Sequence, residues 1–152
     1  MSAAGDARQA AVMAVQRAFT TMHEEFLAWT DQLRTGARLL ARVDEASRFA
    51  IVADLVAFLQ EKIEPHTYLD EHVLYPEGNA RLGSPLGAAA LAYDHLAIRS
   101  WIAKLAEADN EDVEMLQELL YGLDALIRVH LWKEDELYVK PLGSSAWSAS
   151  GA

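Results

Sequence analysis

The sequence predicts an all-α protein, an antiparallel up-down four-helix bundle. Four long stretches carry apolar residues at the three- and four-residue spacing of amphipathic helices, and three short breaks separate them. Apolar residues make up 52% of the 152 residues, Gly (8) and Pro (4) are sparse, and no stretch alternates like a strand. We expect one domain over residues 1–142, followed by a flexible tail over residues 143–152 that is rich in Ser, Ala and Gly.

The first two helices are marked by their apolar residues and their expected ends. The first helix is predicted over residues 6–34, with Gly36 as its stop. The second begins after an N-cap, for which Asp44 and Ser47 are the candidates. Pro65 lies inside this helix, so the sequence predicts a kink or a break there.

The remaining breaks fix the third and fourth helices. The second helix ends near Tyr75, where turn-forming residues mark a central loop: Pro76, Gly78, Asn79, Gly83, Ser84 and Pro85. The third helix is predicted over residues 86–108, and a turn follows at residues 109–110. Acidic residues then open the fourth helix, as the helix dipole favours, and Pro141 stops it after about residue 138.

Composition excludes several classes of function. The net charge of −10 argues against nucleic acid or an anionic membrane as a partner. The absence of cysteine removes disulfides, zinc-finger sites, iron–sulfur ligation and thiol catalysis. Residues 1–9 lack the pattern of a signal peptide, and no apolar run approaches the roughly 18 residues of a membrane span. We therefore expect a cytoplasmic protein.

A weak internal repeat ends the second and fourth helices. Residues 66–76 and 130–141 each contain a His, a carboxylate four residues later, a second acid, an apolar or aromatic stretch and a Pro. The first and third helices each contribute one further His, His23 and His95. The chain therefore reads as two similar helical hairpins.

The histidines carry the chemistry that this pattern predicts. Because a helix turns about 100° per residue, residues four apart share a face, and His66 pairs with Asp70 as His130 pairs with Glu134. Four of the five histidines fall one per helix on inward faces. Burying these groups is expensive unless a metal compensates them, and imidazole with carboxylate suits iron, manganese or zinc. His72, rotated about 240° from His66, is expected at the surface.

At these residues the chain resembles the hemerythrin/HHE cation-binding family, from the first helix to Pro141. Residues 66–76 are similar to the family's His-x3-Glu-Glu-x-x-Leu-Phe/Tyr-Pro motif, and Asp94-His95 and residues 130–134 follow in the family's order. The resemblance implies two non-haem iron ions with an oxo or hydroxo bridge. It implies bridging roles for Asp70 and Glu134, and the ligand set His23, His66, Asp70, His95, His130 and Glu134.

The chain departs from the family pattern at two positions. Asp70 stands where the family usually has Glu and is one methylene shorter, so Glu71 is an alternative bridging ligand. Arg99 stands where the oxygen-carrying members have a second His, so a fifth imidazole is missing. This invites peroxide or other small-molecule chemistry. Arg99 itself is interpreted either as paired with an acid at the rim of the site or as an ordinary surface residue.

Several further residues lie near the predicted ligands in sequence. Tyr138 is the best candidate for a contact behind the ligands, whereas three other tyrosines are rotated away from the neighbouring His and are predicted to pack: Tyr68, Tyr75 and Tyr93. Glu24 and Glu25 beside His23 either hydrogen-bond a ligand imidazole or are solvated acids.

Three hypotheses of function follow. The first is a di-iron protein that binds or senses O₂ or a related small molecule such as peroxide or nitric oxide. The second is a di-iron oxidoreductase that consumes peroxide or O₂, and the third is a metal-free helical interaction module. A ferritin-like site is excluded because no His has a Glu three residues before it. The sequence leaves the oligomeric state open.

Overall fold

A computed structural model describes the backbone of residues 3–142 and the side chains of residues 5–80 and 83–142. The predicted tail over residues 143–152 lies outside the described residues. The helical elements are, in order, α1 (Ala3–Leu40), α2 (Glu45–Leu69), the π-helical turn π1 (Asp70–Leu74), α3 (Tyr75–Leu82), α4 (Leu86–Glu107), α5 (Val113–Glu134), the π-helical turn π2 (Asp135–Val139) and α6 (Lys140–Leu142).

These elements form four helical rods. They are α1, the continuous run α2–π1–α3, then α4, and the continuous run α5–π2–α6. α1 and α4 each pack against both α2 and α5, so the rods close a bundle around one interior. Short connections over residues 41–44, 83–85 and 108–112 reverse the chain. Residues 3–142 contain no strand, and the predicted all-α four-helix bundle is confirmed.

Short polar residues cap two of the helices. Asp44 Oδ1 accepts a hydrogen bond of 2.8 Å from the backbone N–H of Ser47, which confirms Asp44 as the N-cap of α2. Asp112 Oδ1 accepts one of 3.0 Å from the backbone N–H of Met115 and caps α5 in the same way. Gly83 ends α3 with φ of +66°, a left-handed conformation that glycine adopts without a steric cost.

Three predicted boundaries were wrong, at Gly36, in the central loop and at Pro141, and tertiary packing explains the first of them. α1 continues past Gly36, where an added Cβ would lie 2.6 Å from Leu55 Cδ1, so this glycine permits close helix packing instead of ending the helix. α2 runs through Pro65 without the predicted break, among buried neighbours that include Ile63 and His66, and the alternative of a kink there stays a prediction. The predicted central loop is mostly helical, with Pro76 inside the continuous run α2–π1–α3, and Pro141 lies inside α6 instead of ending the fourth helix near residue 138.

Two apolar clusters fill the bundle interior. The large apolar cluster lies at the end that holds connections 41–44 and 108–112; its members include Phe26, Leu33, Leu40, Leu59, Ile98, Leu105, Leu120 and Ile127. The small apolar cluster lies at the opposite end and consists of Val12, Phe19, Leu74, Tyr75, Ala88, Leu91, Tyr138, Val139 and Leu142. The region between them holds the polar residues of the site.

No helix in the described part of the chain has the length and apolarity needed to cross a membrane.

Candidate metal centre

A single layer of buried polar side chains separates the two apolar clusters. All four helical rods contribute to this polar layer, which consists of His23, His66, Asp70, His95, His130 and Glu134. None of these residues is more than 3% exposed. On α1, for example, His23 lies between Phe19 of the small cluster and Phe26 of the large one. The layer therefore brings together six of the seven residues that the sequence proposed as metal ligands.

Five members of the layer are close enough to share metal ions. His66, Asp70, His95, His130 and Glu134 each offer one ligand atom, and these atoms lie within 4.8 Å of one another. His23 adjoins this group, with Nε2 3.4 Å from Oε2 of Glu134. Nε2 of His95 and Nε2 of His130 are only 3.0 Å apart. That separation suits two nitrogens at right angles on one ion, with metal–nitrogen distances of about 2.1 Å.

Each buried carboxylate lies between imidazoles of different helices. Glu134 places Oε1 3.3 Å from Nε2 of His130, whereas its Oε2 faces His23 and lies 3.7 Å from Nε2 of His66. Asp70 Oδ2 lies 2.9 Å from Nε2 of His66 and 3.3 Å from Nε2 of His95. Carboxylates in these positions are suited to bridge two ions.

Many of the atoms that face the middle of the layer make no hydrogen bond. Although several lie close to an imidazole or carboxylate of the layer, the geometry is not that of a hydrogen bond for His23 Nε2, His66 Nε2, Asp70 Oδ1 and Oδ2, or Glu134 Oε2. Buried polar atoms without partners are costly, and coordination of a metal removes that cost. Four imidazoles with two carboxylates form a donor set that fits iron, manganese or zinc.

Three acids at the edge of the layer hold the outer nitrogens of the imidazoles. We call them the orienting acids: Asp135 lies 2.7 Å from His23 Nδ1, Glu71 lies 3.0 Å from His95 Nδ1, and Asp94 lies 3.2 Å from His130 Nδ1. A protonated Nδ1 that donates to a carboxylate leaves Nε2 as the lone-pair nitrogen that faces the layer. Glu71 thus lies outside the group of five, and its bridging role stays a prediction.

The two π-helical turns begin where the site helices supply their carboxylates. Asp70 is the first residue of π1, whose wider turn is closed by the Tyr75 N–H donating to the Asp70 carbonyl. Glu134 directly precedes π2, which is closed by the Lys140 N–H donating to the Asp135 carbonyl. Single π turns inside α-helices are frequent at functional sites because they redirect the side chains that follow.

Tyr75 packs in the small apolar cluster, as predicted, and its hydroxyl also contacts the layer. Its hydroxyl donates a short hydrogen bond to Glu134 Oε1 and lies 3.4 Å from Nε2 of His95. This contact was not predicted, because regular helical rotation turns Tyr75 away from His66 on its own helix. In the fold, π1 changes that rotation. The partners of the Tyr75 hydroxyl, His95 and Glu134, come from α4 and α5.

The other residues singled out by the sequence lie around the edge of the site. Tyr138 packs against Tyr75, but its hydroxyl donates to Asn79 Oδ1, 3.2 Å away, so its predicted contact with the ligands is wrong. Arg99 donates two hydrogen bonds to Glu64, of 2.8 and 3.0 Å, as the rim-pairing interpretation expected. His72 is exposed, as predicted, and stacks on Tyr68. Glu24 and Glu25 are also exposed.

Three residues of the layer have shifted pKa values: those of Asp70 and His130 are lowered, and that of Glu134 is raised. Burial raises the pKa of Asp70, but the adjacent His66 and His95 outweigh burial and lower it to about 2. Burial, and then the neighbouring His95 and His66, lower the pKa of His130 to about 3. Burial and the charge of Asp70 raise the pKa of Glu134 well above its ordinary value. Neutral imidazoles are the form that binds metal.

The orienting acids are the functional residues that sequence reasoning placed least well. Glu71 and Asp135 were visible as the second acid of each repeat copy, and Asp94 as the neighbour of His95. Sequence spacing does not identify their partners, because each acid contacts an imidazole on a different rod: Glu71 contacts His95, Asp135 contacts His23, and Asp94 contacts His130.

A comparison with known proteins agrees with this arrangement. The family model described as the hemerythrin HHE cation-binding domain matches residues 14–142. No curated protein matches the chain, and neither does any solved structure. The matched range includes every member of the polar layer and all three orienting acids.

Proposed function

Because the chain belongs to the hemerythrin HHE cation-binding family, we propose that its polar layer holds two non-haem iron ions and binds or senses O₂ or a related small molecule such as peroxide or nitric oxide. In this proposal, Asp70 and Glu134 bridge the ions. The remaining ligands are the imidazoles His23, His66, His95 and His130. The proposal includes the cytoplasmic location predicted from the sequence.

One observation carries the proposal: nitrogen and carboxylate oxygen atoms converge in a buried layer, where His66 Nε2, both oxygens of Asp70 and Oε2 of Glu134 have no hydrogen-bond partner. A metal-free interaction module would instead pair these groups with one another, because an unpartnered buried polar atom costs about 1 to 3 kcal/mol. Coordination of metal ions is therefore the simplest explanation for these buried atoms without partners. Two ions also suit the donor set, since each carboxylate lies close to imidazoles of two different helices.

The residues of the chain supply binding, orientation and exclusion of water. The orienting acids fix the imidazoles, and Tyr75 donates to Glu134 and holds that carboxylate in place. The two apolar clusters close the layer from above and below. Bound ferrous iron would supply electrons for reversible binding of O₂ or a related molecule. No imidazole stands at position 99, where Arg99 is engaged by Glu64, so the protein would supply one ligand fewer and a coordination position could be taken by such a molecule.

The same observation at Arg99 favours an alternative, a di-iron oxidoreductase that consumes peroxide or O₂. Fewer protein ligands leave more positions for the reacting molecule. The two functions differ in turnover. Peroxide added to the iron-loaded protein would disappear catalytically, with release of oxygen, only if the alternative is correct.

The first test is metal analysis together with an absorption spectrum. We expect about two iron ions per chain after anaerobic loading with ferrous iron, and bands of an oxo-bridged pair in the near ultraviolet after exposure to air. Glu134→Ala is expected to lose both ions, because its carboxylate faces both ends of the layer.

A matched control separates loss of the ligand from a general effect of removing an acid. Glu136→Ala removes an exposed carboxylate two residues further on, which contacts Lys140, and is expected to keep the full iron content. A wild-type protein that takes up no ferrous iron would contradict the proposal and favour the metal-free module.

A further inference from the structure

The four imidazoles of the polar layer form two pairs, His95 with His130 and His23 with His66, which we call the two ends of the layer. The two ends differ in the hydrogen-bond partners of the outer nitrogens, Nδ1. At one end, both imidazoles have an orienting acid: His95 has Glu71 and His130 has Asp94. At the other end, His23 has Asp135, whereas His66 Nδ1 is buried and makes no hydrogen bond.

This difference bears on the strength of metal binding. A carboxylate that accepts from Nδ1 fixes the ring and increases the basicity of Nε2, and loss of such a partner typically weakens metal binding about 10- to 100-fold. His66 lacks that support, and its ring packs against Phe26 instead, with 5.1 Å between ring centroids. An imidazole without a partner at Nδ1 has no fixed tautomer.

Ligand spacing distinguishes the same two ends. The rings of His95 and His130 have centroids 4.6 Å apart, and their Nε2 atoms converge to 3.0 Å. The rings of His23 and His66 have centroids 5.5 Å apart, and each of their Nε2 atoms adjoins Glu134 Oε2, at 3.4 and 3.7 Å. The first end is the more preorganised one.

We propose that the two ends bind metal with unequal affinity. The end formed by His95 and His130 takes the first ion, the end formed by His23 and His66 takes the second, and Glu71 and Asp135 are the positioning residues that set the two affinities separately. This inference rests on the proposed function, since it requires two ions. Glu71 and Asp135 stand at equivalent positions of the two repeat copies, each directly after its buried carboxylate.

The test is an anaerobic calorimetric titration of the metal-free protein with ferrous iron. The wild-type protein is expected to bind two ions per chain in two steps whose affinities differ by at least about 10-fold. Glu71→Gln keeps the shape of the side chain but removes its charge, so it should weaken the tighter step and bring the two steps together. Asp135→Asn should weaken the looser step and move them further apart. Glu71 is chosen over Asp94 because Lys133 also contacts Asp94.

Control variants assign the steps and exclude a structural effect. His130→Ala should remove the tighter step and His23→Ala the looser one. Glu136→Gln, an exposed acid beside Asp135, should change neither step. Asp135→Glu keeps the charge and should keep more of the second affinity than Asp135→Asn does. Circular dichroism shows whether each variant keeps the helical content of the wild type.

The outcomes separate this inference from the proposed function. Two ions bound in steps of equal affinity, or a single step moved by both Glu71→Gln and Asp135→Asn, would overturn the inference and leave the di-iron proposal intact. A wild-type protein that binds no ferrous iron would overturn both.

Discussion

The large apolar cluster and the polar layer are built on the same four rods, yet they have opposite physical character. Each buried member of the large cluster is apolar. The polar layer, one or two helical turns away, holds charged and imidazole groups with several unpartnered atoms. The residues that stabilise the fold and those that form the site therefore follow one another along each helix, with overlap at Leu131, a member of the large cluster between His130 and Glu134.

The energetic consequences also differ. Burial of Leu, Ile and Phe side chains stabilises the fold by roughly 1.5 to 3 kcal/mol for each residue. Burial of carboxylates and imidazoles costs free energy unless they are compensated. A chain selected only for stability would therefore have filled the layer with apolar residues. Three predictions test this division between a large apolar cluster that stabilises the fold and a polar layer that binds metal. They run from the largest expected effect to the smallest.

Leu120→Ala tests the large cluster. Leu120 is fully buried, and its truncation is expected to lower the free energy of unfolding of the metal-free protein by about 2 to 5 kcal/mol. The iron content of the folded fraction should not change, because Leu120 does not belong to the layer. Urea unfolding followed by circular dichroism measures the first quantity, and metal analysis measures the second. Leu96→Ala, at an exposed leucine, is the control and should cost no more than about 0.5 kcal/mol.

Metal loading tests the polar layer. The metal-free protein is expected to keep its helical circular dichroism, because the large cluster does not depend on the ions. Free metal at 100 times its dissociation constant should then add about 2.7 kcal/mol to the free energy of unfolding and raise Tm. Glu134→Ala should abolish this increase. A metal-free protein without helical structure would show that the division between fold and site is wrong.

Arg99→Ala tests the rim of the layer. Arg99 and Glu64 form an exposed ion pair, so its loss should change the free energy of unfolding by no more than about 1 kcal/mol. Iron content should stay at the wild-type value. A double-mutant cycle with Glu64→Ala isolates the energy of the pair. A large loss of bound iron in Arg99→Ala would indicate that this residue supports the ligands directly.

The fold and most of the layer could be predicted from sequence because their signals are local. Apolar spacing gives the helices, and the four-residue spacing of His66 with Asp70 and His130 with Glu134 gives a shared face. The contact of Tyr75 with Glu134 could not be predicted, since it joins residues 59 positions apart and depends on the π1 turn. The continuation of α1 past Gly36 likewise depends on packing against α2.

The π turns also explain an irregularity of the internal repeat. Pro76 follows His66 by ten residues, whereas Pro141 follows His130 by eleven. The wider turns show the same one-residue offset, since π1 begins at Asp70, four residues after its His, and π2 begins at Asp135, five after. Each Pro therefore keeps its place relative to the end of the wider turn. Matching by residue count alone misaligns the two copies.

The place of the large apolar cluster has a consequence for how the protein acquires metal. The cluster lies at the end of the bundle where connections 41–44 and 108–112 join each hairpin, so its contacts can form without waiting for an ion. We therefore expect loading to follow folding, into a layer whose shape is already set. Under these conditions the ion that occupies the layer depends on the metal supply of the cell as well as on the donor set. Protein produced in media enriched in iron, manganese or zinc would therefore carry different ions in the same fold.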